Sequence, residues 1–517
     1  MSFTQNSGTR YACRAESSIE RKYLIYPTFS AILVPVKRDA AERPPFYEAE
    51  RKRRRMAQNT TTQKENVMGT AKLSRLILTT GIPLMLSLLI NSLYNFVDSV
   101  FVSRVSEEAL TALSLASPVQ ILVSALGLGN AVGLNAVISK ALGEKRPDKV
   151  RKAADASIFI ALCSWVLIAV LCLLLVGPYF DWQSGGNETI ARYGRDYLSV
   201  CMLFSFGQMG QWVFDRFVIA SGKSSLFLFT LSAASITNLI LDPIFIFGWL
   251  GVPRLEALGA AIATVIGQCV GCLAGVFINR RWNKEIPFGF TLKPDGESIR
   301  SILKVGVPST LVQVLTSFVS VVMNSILLGF STTAVAVNGV CGRIFGISTV
   351  GVHGIDNGLI PIVAYNYGAG KKARIGESIK WALIYGALFF VPFFAVLEGA
   401  PTLVLRLFDA GEVMLGLGVP ALRILAAAWL ISIPALVLTA GLQGLSLGGS
   451  AMVLTMTRQA ILPVIFALAL QFTGSLEMIW LGYVLAELLG IPLALVLWRR
   501  AYGRLASGPM GTLPATE

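Results

Sequence analysis

The chain has 517 residues, 54% of them hydrophobic and 14% charged, with a mean hydropathy of +0.64. Soluble domains carry about 25% charged residues, so this composition excludes a water-soluble globule. The net charge of +14 is spread over separate short loops, which excludes a nucleic-acid-binding patch.

Residues 1–70 stand apart. They hold ERKRRR at 50–55 and the polar run NTTTQKEN at 59–66, with no segment able to span a bilayer, and read as a disordered basic extension. The preferred reading places the true start of translation at Met56 or Met68; the other lets the basic run meet anionic lipid headgroups. The apolar stretch 24–36 is broken by Pro27 and Pro35 and does not read as a cleavable signal.

A helix needs about 20 mainly apolar residues to cross the hydrocarbon core. Such stretches fall near 76–102, 110–139, 153–177, 193–221, 226–249 and 257–279, then near 301–329, 333–365, 378–398, 416–442, 450–471 and 478–498. The expected fold is all-α and integral to the membrane: about twelve transmembrane helices in two pseudo-symmetric six-helix bundles. The first lobe is expected over 71–279 and the second over 301–500, joined by a connector at 280–300 and followed by a tail at 501–517.

The symmetry is written in the sequence. GIPLMLSLLINSLYNFVDSVFVS (81–103) returns as GVPSTLVQVLTSFVSVVMNSILLGF (306–330), with Pro83 matching Pro308 (308 − 83 = 225). At that offset Gly129 falls on Gly354, Gly133 on Gly358, and Ser221 on Ser446. Two related halves of a long apolar chain are the architecture of secondary transporters, which rock one bundle against another around a central site.

Lysine and arginine set the orientation. Lys140, Lys145, Arg146, Lys149, Arg151 and Lys152 follow the second span. Arg280, Arg281, Lys284, Lys293 and Arg300 fill the connector, and Lys371, Lys372, Arg374 and Lys380 follow the eighth span. Arg499, Arg500 and Arg504 lie in the tail. The expectation is a multi-pass protein of the plasma (inner) membrane with both termini cytoplasmic.

Acids inside spans cost about 2.5–3.5 kcal/mol on insertion scales and need a partner, a cavity or a function. Asp98 lies near the outer end of the first span and Asp242 in the outer half of the fifth, with Asn238 one turn below it. The second copy has Met323 and Ala467 at the matching places, so these acids belong to the first half alone. Two carboxylates forced together in a low dielectric do not easily both carry charge, as a proton-coupled device requires. The same oxygens could instead hold Na+, in which case Asp98, Asn238 and Asp242 are its ligands. Pro243 is expected to kink the helix and free the carbonyl of Leu239.

Other polar positions are candidates for a substrate cavity: Asn91, Tyr94 and Asn95 in the first span, Asp215 in the fourth, Gln313 in the seventh, Asp356 in the eighth and Glu487 in the twelfth. Asp215 and Arg216 are expected either to neutralise each other or to connect to the acidic cluster. Arg216 and Arg343 read as the main bases within spans. His353 reads as a helix-packing histidine, and Cys269 and Cys272, a CxxC inside an apolar helix, as small packing residues. The glycines at 127, 129 and 133 and at 351, 354 and 358 form small-residue stripes that let helices approach closely.

From about Met68 to Arg500 the chain resembles the multidrug and toxic compound extrusion family of the multidrug/oligosaccharidyl-lipid/polysaccharide flippase superfamily. The resemblance rests on MGT (68–70), NSLYNFVDSVFVS (91–103), NLILDPIFIFG (238–248), LGAAIATVIGQ (258–268) and IVAYNYGAGKKAR (362–374), in order on twelve spans. It implies an exporter whose two bundles form a V-shaped cavity and whose efflux is driven by inward H+ or Na+. It also implies a cation site at Asp98, Asn238 and Asp242, with Thr264 on the sixth span as a further member. No glutamate stands in the seventh span, which disfavours the branch that places its coupling acid in the second lobe, and Asp356 and Asn357 depart from the glutamine-like residues of relatives.

The function expected is therefore an ion-coupled antiporter exporting amphipathic, often cationic, drugs or metabolites by alternating access. A flippase for lipid-linked oligosaccharides is the alternative, disfavoured by the scarcity of bases within spans. No HExxH, no GxSxG in a suitable context and no GxxxxGK[ST] occurs, so neither enzymatic nor ATP-driven chemistry is expected. The expected partners are small organic molecules and membrane lipid, without nucleic acid; the coupling ion replaces any cofactor, and the protein is expected to be a monomer.

Overall fold

The computed structural model describes residues 66–408 and 411–507, save the side chains of Asn95, Phe96, Ser99, Ser103, Glu107, Ala506 and Ser507. The expectations for residues 1–65, for the last ten residues and for the side chain of Asn95 lie outside the described residues.

The described chain is helical almost throughout. After a short turn of helix, α1 (Val67–Thr70), the first half comprises α2 (Leu73–Ser103), α3 (Glu107–Gly143), α4 (Pro147–Gln183), α5 (Glu188–Leu203), α6 (Phe206–Ala220), α7 (Ser224–Phe247) and α8 (Glu256–Trp282). The second half comprises α9 (Gly296–Leu328), α10 (Thr332–Ser348), α11 (Val350–Gly368), α12 (Lys372–Gly399), α13 (Pro401–Arg406), α14 (Glu412–Gly444), α15 (Gly448–Met456), α16 (Leu462–Leu470) and α17 (Leu476–Ser507). Helix starts carry the expected caps: Ser106, Ser331 and Asp295 accept from the backbone N–H three residues on.

Among the described residues ten helices are long and apolar enough to cross a membrane, and α10 with α11, bent by 51°, is long and apolar enough as a pair to make an eleventh crossing. The apolar run over 333–365 predicts one span; the bend within it falls at Thr349, whose hydroxyl donates to the Phe345 carbonyl one turn back at 2.8 Å, a bond that bends helices. The span predicted over 193–221 is likewise two helices, parted at Phe204 and Ser205. The Leu203 carbonyl at that break accepts from the Trp165 indole at 2.8 Å, so it is not left unpaired. Between α15 and α16 a π turn, Thr457–Ile461, precedes Pro463. By contrast, α7 runs unbroken through Pro243.

The halves meet along a seam of glycines whose contacts repeat at the 225-residue offset. A Cβ at Gly129 on α3 would stand 2.7 Å from the Gly306 carbonyl oxygen on α9, and one at Gly306 would stand 2.6 Å from the Gly129 oxygen. The matching pair is Gly354 on α11 and Gly81 on α2, where a Cβ at Gly354 would lie 3.0 Å from the Gly81 oxygen. Between helices in lipid such close backbone packing takes the place of the hydrophobic effect.

The basic loops gather at one end of the bundle. Lys152 at the start of α4 reaches Asp295 at 3.1 Å, Lys223 reaches Glu285 at 3.1 Å, and Lys140 lies over the Tyr367 ring. The 66–71 segment is tied to both halves at this end. Asn66 donates to the Ser221 carbonyl at 3.1 Å and to Glu285 at 2.5 Å, while the Met68 carbonyl accepts from Asn366 and Arg374 at 3.1 and 3.2 Å.

Candidate functional site

The first half holds a polar cluster built by the packing of α7 on α8. Gly267 makes the approach possible: a Cβ there would lie 2.8 Å from the Ala234 carbonyl and 3.1 Å from the Asn238 Cβ. With the backbones this close, Thr264, one turn before Gly267, reaches across to α7. Asn238, its amide nitrogen turned toward Asp242, donates to Asp242 Oδ2 at 2.9 Å. Its oxygen accepts from the Thr264 hydroxyl at 3.3 Å and from the Thr264 backbone N–H at 3.1 Å. Asp242 is fully buried, and Asn238 and Thr264 nearly so.

Asp98 on α2 lies within electrostatic range of Asp242, and Tyr94, one turn before it, within range of both. The Asp98 Oδ1 atom is buried and accepts no hydrogen bond, and among the described residues Asp98 makes no ion pair with Arg104. The four residues expected to form the cation site are thus in one region: three are hydrogen-bonded together, and Asp98 lies within electrostatic range of Asp242.

Two cavities adjoin this cluster. One of about 600 Å³ is lined by α2, α3, α6, α7, α8 and both arms of the bent crossing; Asn91, Tyr94, Trp212, Asp215 and Asn238 contribute to its wall. The other, about 370 Å³, holds Asp98. They share Tyr94, Ser124, Gln208, Thr264 and Gln268 as walls. Carboxylate, amide and hydroxyl oxygens suit a proton or a hard cation such as Na+. Among the described residues no three His, Cys, Asp or Glu side chains are grouped to hold a metal ion, so Na+ would depend on Asn238 and Thr264 beside the carboxylates.

The expected cavity residues divide. Asn91, Tyr94 and Asp215 line the larger cavity, whereas Gln313, Asp356 and Glu487 are not among its lining. Asp215 and Arg216 form no ion pair with each other within 4 Å. Instead Asp215 accepts from the Thr230 hydroxyl at 2.5 Å, and Arg216 donates to Asn357 on α11 at 3.1 Å, bridging the two halves. Successive helix residues point about 100° apart, so adjacency in sequence is poor ground for a pair. His353 lines the cavity rather than serving only to pack helices.

Arg458 is the residue that sequence reasoning missed. It is 2% exposed, sits in the π turn, and donates to Glu487 on α17 at 2.6 Å, whereas Arg343 is exposed. Pairing each acid within a span against each base within a span would have found it.

The chain has relatives. It is 26% identical over 403 residues to the multidrug export protein MepA of Staphylococcus haemolyticus (strain JCSC1435), covering 77% of this chain and 88% of the relative. MepA of Staphylococcus aureus (strain N315) is 26% identical over 428 residues, covering 81% and 92%. Among solved structures, a MOP superfamily transporter from Pyrococcus furiosus superposes with a TM-score of 0.79 at 24% identity, over 86% of this chain and all of that one. An outward-facing multidrug resistance MATE family transporter gives 0.79 at 23% identity with the same coverage. The MatE family profile matches residues 83–244 and again 308–469, reproducing the 225-residue repeat. The chain is a multi-pass membrane protein and belongs to the MatE family.

Proposed function

We propose that the protein exports amphipathic organic cations in exchange for an inward-moving H+ or Na+. The observation that carries this reading is the Asp242–Asn238–Thr264 cluster, with Asp98 beside it, abutting a cavity whose wall includes Tyr94, Trp212 and Asp215. An organic cation finds aromatic faces and a carboxylate there. The coupling ion, bound at Asp98 and Asp242, changes the conformation the first half prefers and so releases the substrate from the adjoining cavity. Drug export by the MepA relatives supports the same cargo class.

The basic end is the cytoplasmic one by the lysine and arginine rule. The glycine seam and the 66–71 segment close the halves together toward that end, which makes this a cytoplasm-shut state. Alternating access then requires the seam to part while the opposite ends of the bundles close. Among the residues lining the larger cavity Arg216 is the one arginine or lysine, and it is engaged by Asn357, which disfavours a pyrophosphate-linked sugar as cargo.

Efflux of a fluorescent organic cation from cells making Asp98→Asn or Asp242→Asn tests the reading. Both are expected to lose efflux at normal membrane abundance; wild-type efflux in both overturns it.

A further inference from the structure

The connector between the halves carries large apolar side chains on its outside. From Asn283 to Asp295 it is fastened to the first half. The Asn283 amide donates to the Phe217 carbonyl at 3.0 Å, the Gly289 N–H donates to Asp155 on α4 at 2.7 Å, and Asp295 is held by Lys152. Ile286 is buried, and the Phe288 ring packs against Phe214 and Phe217 with centroids 5.3 and 5.6 Å apart. Past Gly289 the direction changes: Phe290 and Leu292 turn outward, 66% and 68% exposed.

Their depth follows from the charges on the helices that hold the connector. On α4 no charged residue occurs between Asp155 and Asp181, and on α8 none between Glu256 and Arg280. At about 1.5 Å per residue each run is roughly 35 Å long, just over the ~30 Å hydrocarbon core. Asp155 and Arg280 therefore stand where acyl chains give way to headgroups on the basic side. Val166, Leu167 and Val170 on α4 are exposed, as a lipid-facing helix requires. Trp282, just past Arg280 and half-exposed, is the aromatic type that favours this boundary. Gly289 is bonded to Asp155, and the Arg280 guanidinium lies over the Phe288 ring at 5.8 Å, so Phe290 and Leu292 sit at the same level.

Charge decides what covers them. The connector's own acids are already paired, Glu285 with Lys223 and Asp295 with Lys152. Arg280, Arg281, Lys284 and Lys293 are exposed, and among the described residues none of the four makes an ion pair. Apolar side chains at headgroup depth beside unpaired bases complement an anionic phospholipid, whose phosphate meets the bases while its upper acyl chain meets the apolar pair. We propose that the connector is a binding surface for anionic phospholipid of the cytoplasmic leaflet. Phe290 and Leu292 are set into the headgroup–acyl boundary, and Arg280, Arg281, Lys284 and Lys293 hold the headgroup phosphates. Because the connector is fastened to the first half, lipid held there anchors that half in the leaflet.

Hydrogen–deuterium exchange of residues 283–295, read by mass spectrometry on the full-length protein in lipid nanodiscs, tests it. The discs hold phosphatidylcholine alone or mixed with phosphatidylglycerol. Exchange is expected to slow several-fold when phosphatidylglycerol is present. That slowing is expected to disappear in a variant carrying Arg280→Gln, Arg281→Gln, Lys284→Gln and Lys293→Gln, and to shrink in one carrying Phe290→Ser and Leu292→Ser. All six side chains are exposed, so neither variant disturbs the core. Exchange indifferent to phosphatidylglycerol, or slowing undiminished in either variant, overturns the proposal. Slowing that follows the number of protein molecules per disc rather than the lipid charge assigns the surface to a second copy of the chain and also overturns it. No substrate and no ion gradient enters the measurement, so the transport reading is tested apart from it.

Discussion

Gly129 and Gly306 are packed backbone to backbone, each standing where the other's side chain would be; across the pseudo-two-fold Gly354 and Gly81 meet less tightly, a Cβ at Gly354 lying 3.0 Å from the Gly81 oxygen and one at Gly81 lying 3.6 Å from the Gly354 oxygen. The first pair joins α3 of one half to α9 of the other. Any side chain at Gly306 must displace the Gly129 carbonyl, which is main chain and cannot swing aside. Overpacking of this kind costs roughly 1–3 kcal/mol. Gly306→Val is expected to disfavour the closed seam and to raise labelling of a cysteine placed at Thr310 by a reagent applied from the basic side. Unchanged labelling contradicts the seam as a moving contact.

The first-half cluster gives a graded series. Asn238→Ala removes the donor to Asp242 and the acceptor for Thr264, leaving buried groups unpaired at a cost of about 1–3 kcal/mol. Thr264→Val removes one partner only and is expected to be milder. Export rates and thermal stability measured on both variants check the order; a Thr264→Val defect equal to or larger than that of Asn238→Ala contradicts the geometry.

Much of this cluster was legible in sequence, because an aspartate and an asparagine one turn apart in an apolar run have few structural explanations. Spacing along one helix placed Asn238 below Asp242, and the repeat showed that the second copy lacks both acids. What sequence could not supply was lateral. Arg458 and Glu487 lie on different spans, so matching acids against bases within spans can nominate the pair but not show that the two meet. The break at Phe204 and the bend at Thr349 were hidden as well: an apolar run reads as one span whether or not the helix continues through it. Asp215 and Arg216 misled by being neighbours in the chain.

Arg216 and Asn357 form a bridge between halves that a double-mutant cycle can weigh. Arg216→Met and Asn357→Leu are each expected to destabilise the present state by about 1–3 kcal/mol, and the double variant by less than their sum. Thermal unfolding in detergent reads the cycle. Strict additivity contradicts the bond.

Breaking the Arg458–Glu487 pair from one side strands a buried charge. Arg458→Met is expected to cost about 3–5 kcal/mol, and Arg458→Met with Glu487→Leu to recover much of that. Thermal unfolding of the single and double variants decides between a paired and an independent role.

At the basic face, hydrogen bonds from Ser298 and Lys152 hold the Asp295 carboxyl below its usual range. A group lowered on folding stabilises the fold fully above its unfolded value of about 3.9, and that contribution is lost as pH falls through the lower folded value. Asp295→Asn is expected to lower stability at neutral pH and to match wild type in strong acid. A deficit that persists there contradicts the linkage.

The central claim is that a cation bound among Asp98, Asn238, Asp242 and Thr264 drives substrate out of the adjoining cavity. Transport of a fluorescent organic cation by the purified protein in proteoliposomes, under separately imposed pH and sodium gradients, tests it directly. One gradient is expected to drive transport by wild type but not by Asp98→Asn or Asp242→Asn. Transport indifferent to both gradients, or driven equally well in the two variants, contradicts it.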